Sequence, residues 1–186
     1  MNRKRLITLN LFWFVAIILG LTVQSFANNE SETIIKAEQH FEKAIELRKA
    51  TNYDGAITEY QKVISLSPHS EIAQNAQYWI GQSHFEARQF DAALSAFQGL
   101  LETYPSSSIA PSTTQMIARA EQAKKNRALF EAVKEGDIEQ VTLLISAGAN
   151  IHEKDPDGEL ALYLAARNGH KDVVALLIEK GADINA

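Results

Sequence analysis

The sequence predicts an all-α chain, a helical repeat solenoid built from two kinds of helix hairpin. Three observations predict it. Apolar residues recur at helical spacing in successive windows, with no strand-like alternation. The chain matches itself at an offset of 37 residues in its first half and of 33 in its second. Proline, glycine and capping residues fall where such hairpins must turn. None of the 186 residues is Cys, which excludes a disulfide scaffold, Cys-ligated zinc, an iron–sulfur cluster and a thiol nucleophile. Lys and Arg number 18 against 23 Asp and Glu, a net charge of −5, which argues against a surface built wholly for nucleic acid.

The first element is a leader. Residues 2–5 read Asn-Arg-Lys-Arg, Leu6 to Val23 is apolar apart from Thr8, Asn10 and Thr22, and Ser25-Phe26-Ala27 offers small residues at its ends. A basic start, an apolar core and a small-x-small close predict a signal peptide over 1–27, cleaved after Ala27. The alternative is an uncleaved inner-membrane anchor, since eighteen helical residues reach roughly 27 Å. Either way the remainder is expected to be exported, to the periplasm or else secreted, because the basic end stays inside. Without Cys there is no lipid attachment at a Cys. Loss of Arg3, Lys4 and Arg5 takes the formal charge from −5 to −8. The triplet Asn29-Glu30-Ser31 matches a glycosylation acceptor but is short enough to arise by chance.

The 37-residue period occupies about 33–106. Tyr53-Asp54-Gly55-Ala56-Ile57-Thr58-Glu59-Tyr60 aligns with Phe90-Asp91-Ala92-Ala93-Leu94-Ser95-Ala96-Phe97; Val63 matches Leu100 and Pro68 matches Pro105. A further helix precedes each segment. Ser31 is expected to cap one carrying Ile34, Ile35, Ala37, Phe41, Ala44 and Ile45, and Ser70 one carrying Ala73, Ala76, Trp79, Ile80 and Ser83. Ala56 and Ala93 suit a close helix crossing, and Tyr60 and Phe97 the groove beside it. These hairpins resemble tetratricopeptide repeats, with Gly81, Ala93, Phe97 and Pro105 on the family's small, small, aromatic and proline positions. Asn75-Ala76-Gln77-Tyr78-Trp79-Ile80-Gly81 resembles the periplasmic branch, which includes the Tol-Pal-associated division coordinator and outer-membrane assembly lipoproteins. The first repeat departs from the pattern at Lys43 and Ala44. Residues 107–125 read as a closing helix with Pro111 in its first turn, giving a domain over 28–125.

The 33-residue period occupies 126–186. Leu129-Phe130-Glu131-Ala132 matches Leu162-Tyr163-Leu164-Ala165, Gly136 matches Gly169, Val141 matches Val174, Leu143-Leu144-Ile145 matches Leu176-Leu177-Ile178, and Gly148-Ala149-Asn150-Ile151 matches Gly181-Ala182-Asp183-Ile184. The pattern resembles about two ankyrin repeats. The glycines are expected to end the helices. Leu160-Ala161-Leu162-Tyr163 stands where the family has Thr-Pro-Leu-His, so the hydrogen-bonded pair that steadies that turn is missing. Between Ser112 and Glu135 there is neither Pro nor Gly, so the closing helix is expected to run into, or stack on, the first ankyrin helix. An apolar end is expected around Val174, Leu177 and Ile178, and self-association through it.

No catalytic, metal or cofactor constellation emerges. His152-Glu153 lacks the second His of a zinc-protease motif, and Asp155-Pro156-Asp157-Gly158-Glu159 lacks the remaining ligands of a calcium loop. It reads as a hairpin turn with carboxylates in water. His170 sits on the ankyrin Gly-His position, where the resemblance implies a structural hydrogen bond; Ser106-Ser107-Ser108 reads as a linker and Lys124-Lys125-x-Arg127 as a solvated helix face. Phe41 and Tyr78 stand where a carboxylate-clamp lysine would, which disfavours that mode. Candidate protein-binding residues are Phe41, Arg48, Asn75, Tyr78, Gln82 and Phe85 on the first array. On the second they are His152, Glu153, Lys154, Asp155, Asp157, Arg167 and Asn168. Phe41 has a rival role, packing on the neighbouring helix. The function expected is that of an exported protein–protein adapter without catalysis, binding neither cofactor nor nucleic acid. It would meet a membrane only through an uncleaved leader. An envelope-biogenesis or division factor and an enzyme's inhibitor or accessory subunit are the alternatives.

Overall fold

The computed structural model describes residues 30–185; the expected export signal and Asn29 lie outside the described residues. The order is α1 (described over 30–49), α2 (Tyr53–Leu66), α3 (Glu71–Glu86), α4 (Phe90–Thr103), α5 (Ala110–Glu135), α6 (Ile138–Ser146), α7 (Ala161–Arg167) and α8 (Lys171–Glu179). Among the described residues the sole β feature is an isolated bridge between Lys154 and Leu160. None of their helices is long and apolar enough to cross a membrane.

The 37-residue period reappears in the backbone. Thr51 N–H donates to Arg48 O and Asn52 N–H to Leu47 O, both at 2.9 Å. One period on, Arg88 N–H donates to Phe85 O at 2.9 Å and Gln89 N–H to His84 O at 2.8 Å. Thr51 (φ 58°) and Arg88 (φ 60°) both take left-handed backbone to make this turn. Asn52 Oδ1 caps α2 by accepting from Gly55 N–H at 3.0 Å, and Ser70 Oγ accepts from Ala73 N–H at 3.2 Å as expected. Pro68 and Pro105 each stand two residues beyond a helix end. Ser31 is not a cap: helix α1 is already formed at residue 30, so Ser31 lies inside it.

The chain divides into two compact units between Ile80 and Gly81, inside α3. In the first, Ala56, Tyr60 and Val63 are wholly buried, and the Phe41 ring meets Tyr60 edge-on at 5.3 Å. Glu59, also buried, receives Lys43 Nζ and Lys62 Nζ at 2.9 Å each, and lies 2.6 Å from His40 Nδ1. The hydrogen bonds from Lys43 and Lys62, then that from His40, hold its carboxyl down at about 2 against the opposing effect of burial.

In the second unit, Gly81 lets Phe97 press on α3. A Cβ there would meet the Phe97 ring at 2.5 Å, so the small residue is required by close packing. Helix α5 runs unbroken for 26 residues, through the position where the repeat period changes, with Pro111 in its first turn. It packs on α4, α6 and α7, and α8 packs on α6 and α7. Leu129, Phe130, Val133, Val141, Ile151, Leu164, Val173 and Leu177 form one buried cluster. Leu177 therefore does not belong to an apolar end, as the sequence suggested; it turns inward, and it is Ile178 that is exposed, with Val174 partly covered.

Candidate functional site

The second unit carries two adjoining depressions of about 410 and 310 Å³ that share Arg88, Arg127 and Phe130. Three segments make them. The α3–α4 turn brings Phe85, Arg88 and Phe90; the middle of α5 brings Arg127 and Phe130; and the loop between α6 and α7 brings Glu153, Lys154 and Asp157. The left-handed backbone at Arg88 places this residue at the turn itself. Its guanidinium lies 6.0 Å from the Phe90 ring centre, and Phe90 lies 5.6 Å from Phe85. Arg119 approaches Phe85 at 5.6 Å. Arg127 Nη1 donates to Arg88 O at 3.2 Å and Lys124 pairs with Asp91, so the basic run on α5 ties it to α4 and the turn before it.

A polar staple fixes the third wall. Asn126 is buried on the apolar stripe of α5; its Oδ1 accepts from Asn150 N–H at 2.8 Å and its Nδ2 donates to Glu153 Oε2 at 3.2 Å. Gln122 Nε2 adds a bond to Gly148 O at 2.9 Å. Burying an amide is favourable only when it is satisfied, and here it meets three partners, Gln122 included.

The groove charges are mixed. Arg88, Arg127, Lys134 and Lys154 face Glu86, Glu131, Glu153 and Asp157. Among the described residues no group of His, Asp and Glu is placed to hold a metal ion.

Two family models match. That for ankyrin repeats, in three copies, matches residues 95–186, and that for the tetratricopeptide repeat matches 41–108. The chain carries tetratricopeptide and ankyrin repeats. The two matches overlap at 95–108, on α4 and the linker to α5. A search of curated proteins gave no significant match.

The tetratricopeptide candidates fare unequally. Phe41 is half-buried and engaged by Tyr60, its neighbour-packing role. The Arg48 guanidinium stacks 4.2 Å from the Trp79 ring, and Tyr78 meets Trp79 edge-on at 5.5 Å. Asn75 and Gln82 are half-buried on α3. Phe85 lines the groove, as do Glu153, Lys154 and Asp157 from the ankyrin loop. His152 is exposed beside them, its N–H held by Asn150 Oδ1 at 3.0 Å.

Asp155 corrects the expectation of carboxylates in water. It is buried: Oδ1 accepts from Asp157 N–H at 3.0 Å and Glu159 N–H at 2.9 Å, and Oδ2 lies 3.8 Å from Lys134 Nζ. A short carboxylate bonding its own turn backbone is the cause, so Asp155 shapes the loop rather than meeting a partner. Arg167 pairs with half-buried Glu159 and stacks 5.5 Å from Tyr163, and Asn168 Nδ2 donates to Lys134 O at 3.3 Å; both lie away from the groove lining. Sequence reasoning missed Arg88, Phe90, Asn126 and Phe130, and took Arg127 only for part of a solvated helix face. Asn126 alone left a signal, a polar residue in register with Leu129, Phe130 and Val133.

Proposed function

We propose that the chain is a protein-interaction adapter that works after export, in the periplasm, and performs no bond-making chemistry. One observation carries the binding role: a tetratricopeptide turn, a continuous α5 and an ankyrin loop contribute aromatic and charged side chains to a single groove. Its occupant is an extended protein segment that lays an apolar side chain on Phe85, against the rims of the buried Phe90 and Phe130, and an acidic group near Arg88 and Arg127. The leader pattern over 1–27 supports export. The likeness of Tyr78-Trp79-Ile80-Gly81 to the periplasmic tetratricopeptide branch favours a place in envelope biogenesis or division over an accessory role on an enzyme.

The test is capture from an envelope extract by the full chain and by Arg88→Glu and Arg127→Glu variants, with Lys171→Glu, an exposed residue outside the groove, as a control. A discrete envelope protein is expected with the unaltered chain and the control and is lost with both groove variants. Recovery of cytosolic proteins alone contradicts the exported reading. A partner equally retained by all four chains contradicts the groove.

A further inference from the structure

Helix α5 turns one ridge toward the groove. Arg119, Ala123, Arg127 and Glu131 follow one another at four-residue steps; Ala123 is half-buried and the other three are exposed. Residues four apart are neighbours along a helix surface. Each such step rises about 6 Å, close to the roughly 6.6 Å that two residues of extended chain cover. An extended segment laid along the ridge keeps step with it and sets alternate side chains against successive ridge positions. From Arg119 to Glu131 the two repeats drift apart by only about 2 Å, within side-chain reach.

The facing walls follow the order of the ridge. Arg119 lies over the Phe85 ring at 5.6 Å. Ala123 shares the first depression with Phe85 and the rims of Phe90 and Phe130. Arg88 stands with Arg127 on the border of both depressions. Asp157 stands with Glu131 in the second. Read along α5, the groove is positive, apolar, positive and then negative. Two other charges on its walls are already engaged: Glu153 Oε2 accepts from Asn126 at 3.2 Å, and Lys134 Nζ lies 3.8 Å from buried Asp155.

The ordered charges are uncommitted. Elsewhere Lys36 pairs with Glu32 four residues away at 2.6 Å, and Lys49 and Lys180 each reach a nearby carboxylate. Arg127 and Glu131 have the same four-residue separation, yet Arg127 Nη1 donates to Arg88 O instead. Among the described residues, Arg88, Arg119, Arg127, Glu131 and Asp157 form no ion pair.

We infer that the groove reads its partner in a single register: an extended segment whose alternate residues are acidic, apolar, acidic and basic. The first acid meets Arg119, and the apolar side chain enters the first depression beside Phe85. The second acid sits between Arg88 and Arg127, where a guanidinium can hold a carboxylate through two parallel hydrogen bonds. The basic side chain enters the second depression, between Glu131 and Asp157. Exchanging the last two residues sets a cation against two guanidiniums and an anion against two carboxylates, so the same layout rejects the wrong order. This register rests on the groove's being the protein-binding site.

The experiment uses two synthetic peptides with a fluorescent end label and the full chain. One carries glutamate, leucine, glutamate and lysine at alternate positions with serine between them. In the other the second glutamate and the lysine are exchanged, an order that neither chain direction can satisfy. Binding is followed by fluorescence anisotropy at low ionic strength, where exposed charges are least screened. The first peptide is expected to bind about tenfold more tightly than the second. Glu131→Lys is expected to reverse the effect of the peptide's basic residue, so that a version with glutamate in place of lysine becomes the tighter ligand. Equal binding of the two orders, no binding of either at millimolar concentration, or an unreversed preference in Glu131→Lys overturns the register. The groove reading fails separately, if the envelope partner is still captured by Arg88→Glu and Arg127→Glu chains.

Discussion

At Thr51 and Arg88 the chain leaves a helix through left-handed backbone with a side chain in place; at Gly136 and Gly169 it makes the same kind of exit with none. An L-residue pays roughly 1–2 kcal/mol for that conformation. The difference follows from what lies over the turn. At Gly136 the His170 ring occupies the volume a Cβ would need, so any side chain there has to displace the ring. At Arg88 the cost is tolerated, and it sets a guanidinium at the mouth of the groove. Strain at such a position is compatible with a binding role.

The comparison breaks most directly at Gly136. Gly136→Ala is expected to destabilise the chain by about 3 kcal/mol in urea unfolding, combining the left-handed penalty with loss of the His170 bond to Lys134 O. Gly169→Ala has only the backbone term and is expected to cost about 1–2 kcal/mol. Equal effects at the two glycines would remove His170 from the explanation. Adding His170→Ala to Gly136→Ala is expected to cost less than the sum of the single changes, because the two groups share one site.

Smaller effects sharpen the other side. Glu59 lies in the first unit, its carboxyl held down from an ordinary 4.5 to about 2 by Lys43, Lys62 and His40. A folded-state value below the unfolded one means stability that is fully present above about pH 4.5 and is lost as pH falls through 2. Glu59→Gln is therefore expected to be less stable than the unaltered chain at pH 6, with the gap narrowing steadily on acidification in urea titrations. A gap independent of pH would show that packing, not charge, is responsible. Smallest is Arg88→Gly, expected to stabilise by about 1 kcal/mol or less, the relieved strain being offset by glycine's added freedom when unfolded. Thr51→Gly should match it in stability, but only Arg88→Gly should weaken partner binding.

Much of the fold was legible because repeats write themselves twice. The match of Tyr60 to Phe97 and of Gly136 to Gly169 marks equivalent positions in the sequence itself. Pro68, Ser70 and Pro105 stand where local chain chemistry puts them. Legibility fell where geometry decided between neighbours. Leu177 and Ile178 are both apolar and adjacent, and one helical step separates a core residue from a surface one. Asp155 looks like its exposed companions until its carboxylate is seen to bond the Asp157 and Glu159 amides. The groove was hidden for another reason: Phe85, Arg127 and Glu153 belong to three different hairpins or turns, and no period relates them.

The groove is the central claim, and site-specific photocrosslinking in intact cells tests it most directly. A photoreactive residue is placed at Lys154, on the groove wall, or at Glu139, exposed on α6 outside the lining. The account predicts a discrete protein adduct from position 154 that disappears with Arg127→Glu, and none of that size from position 139. Adducts of the same protein from both positions, or an adduct at 154 indifferent to Arg127→Glu, would contradict it.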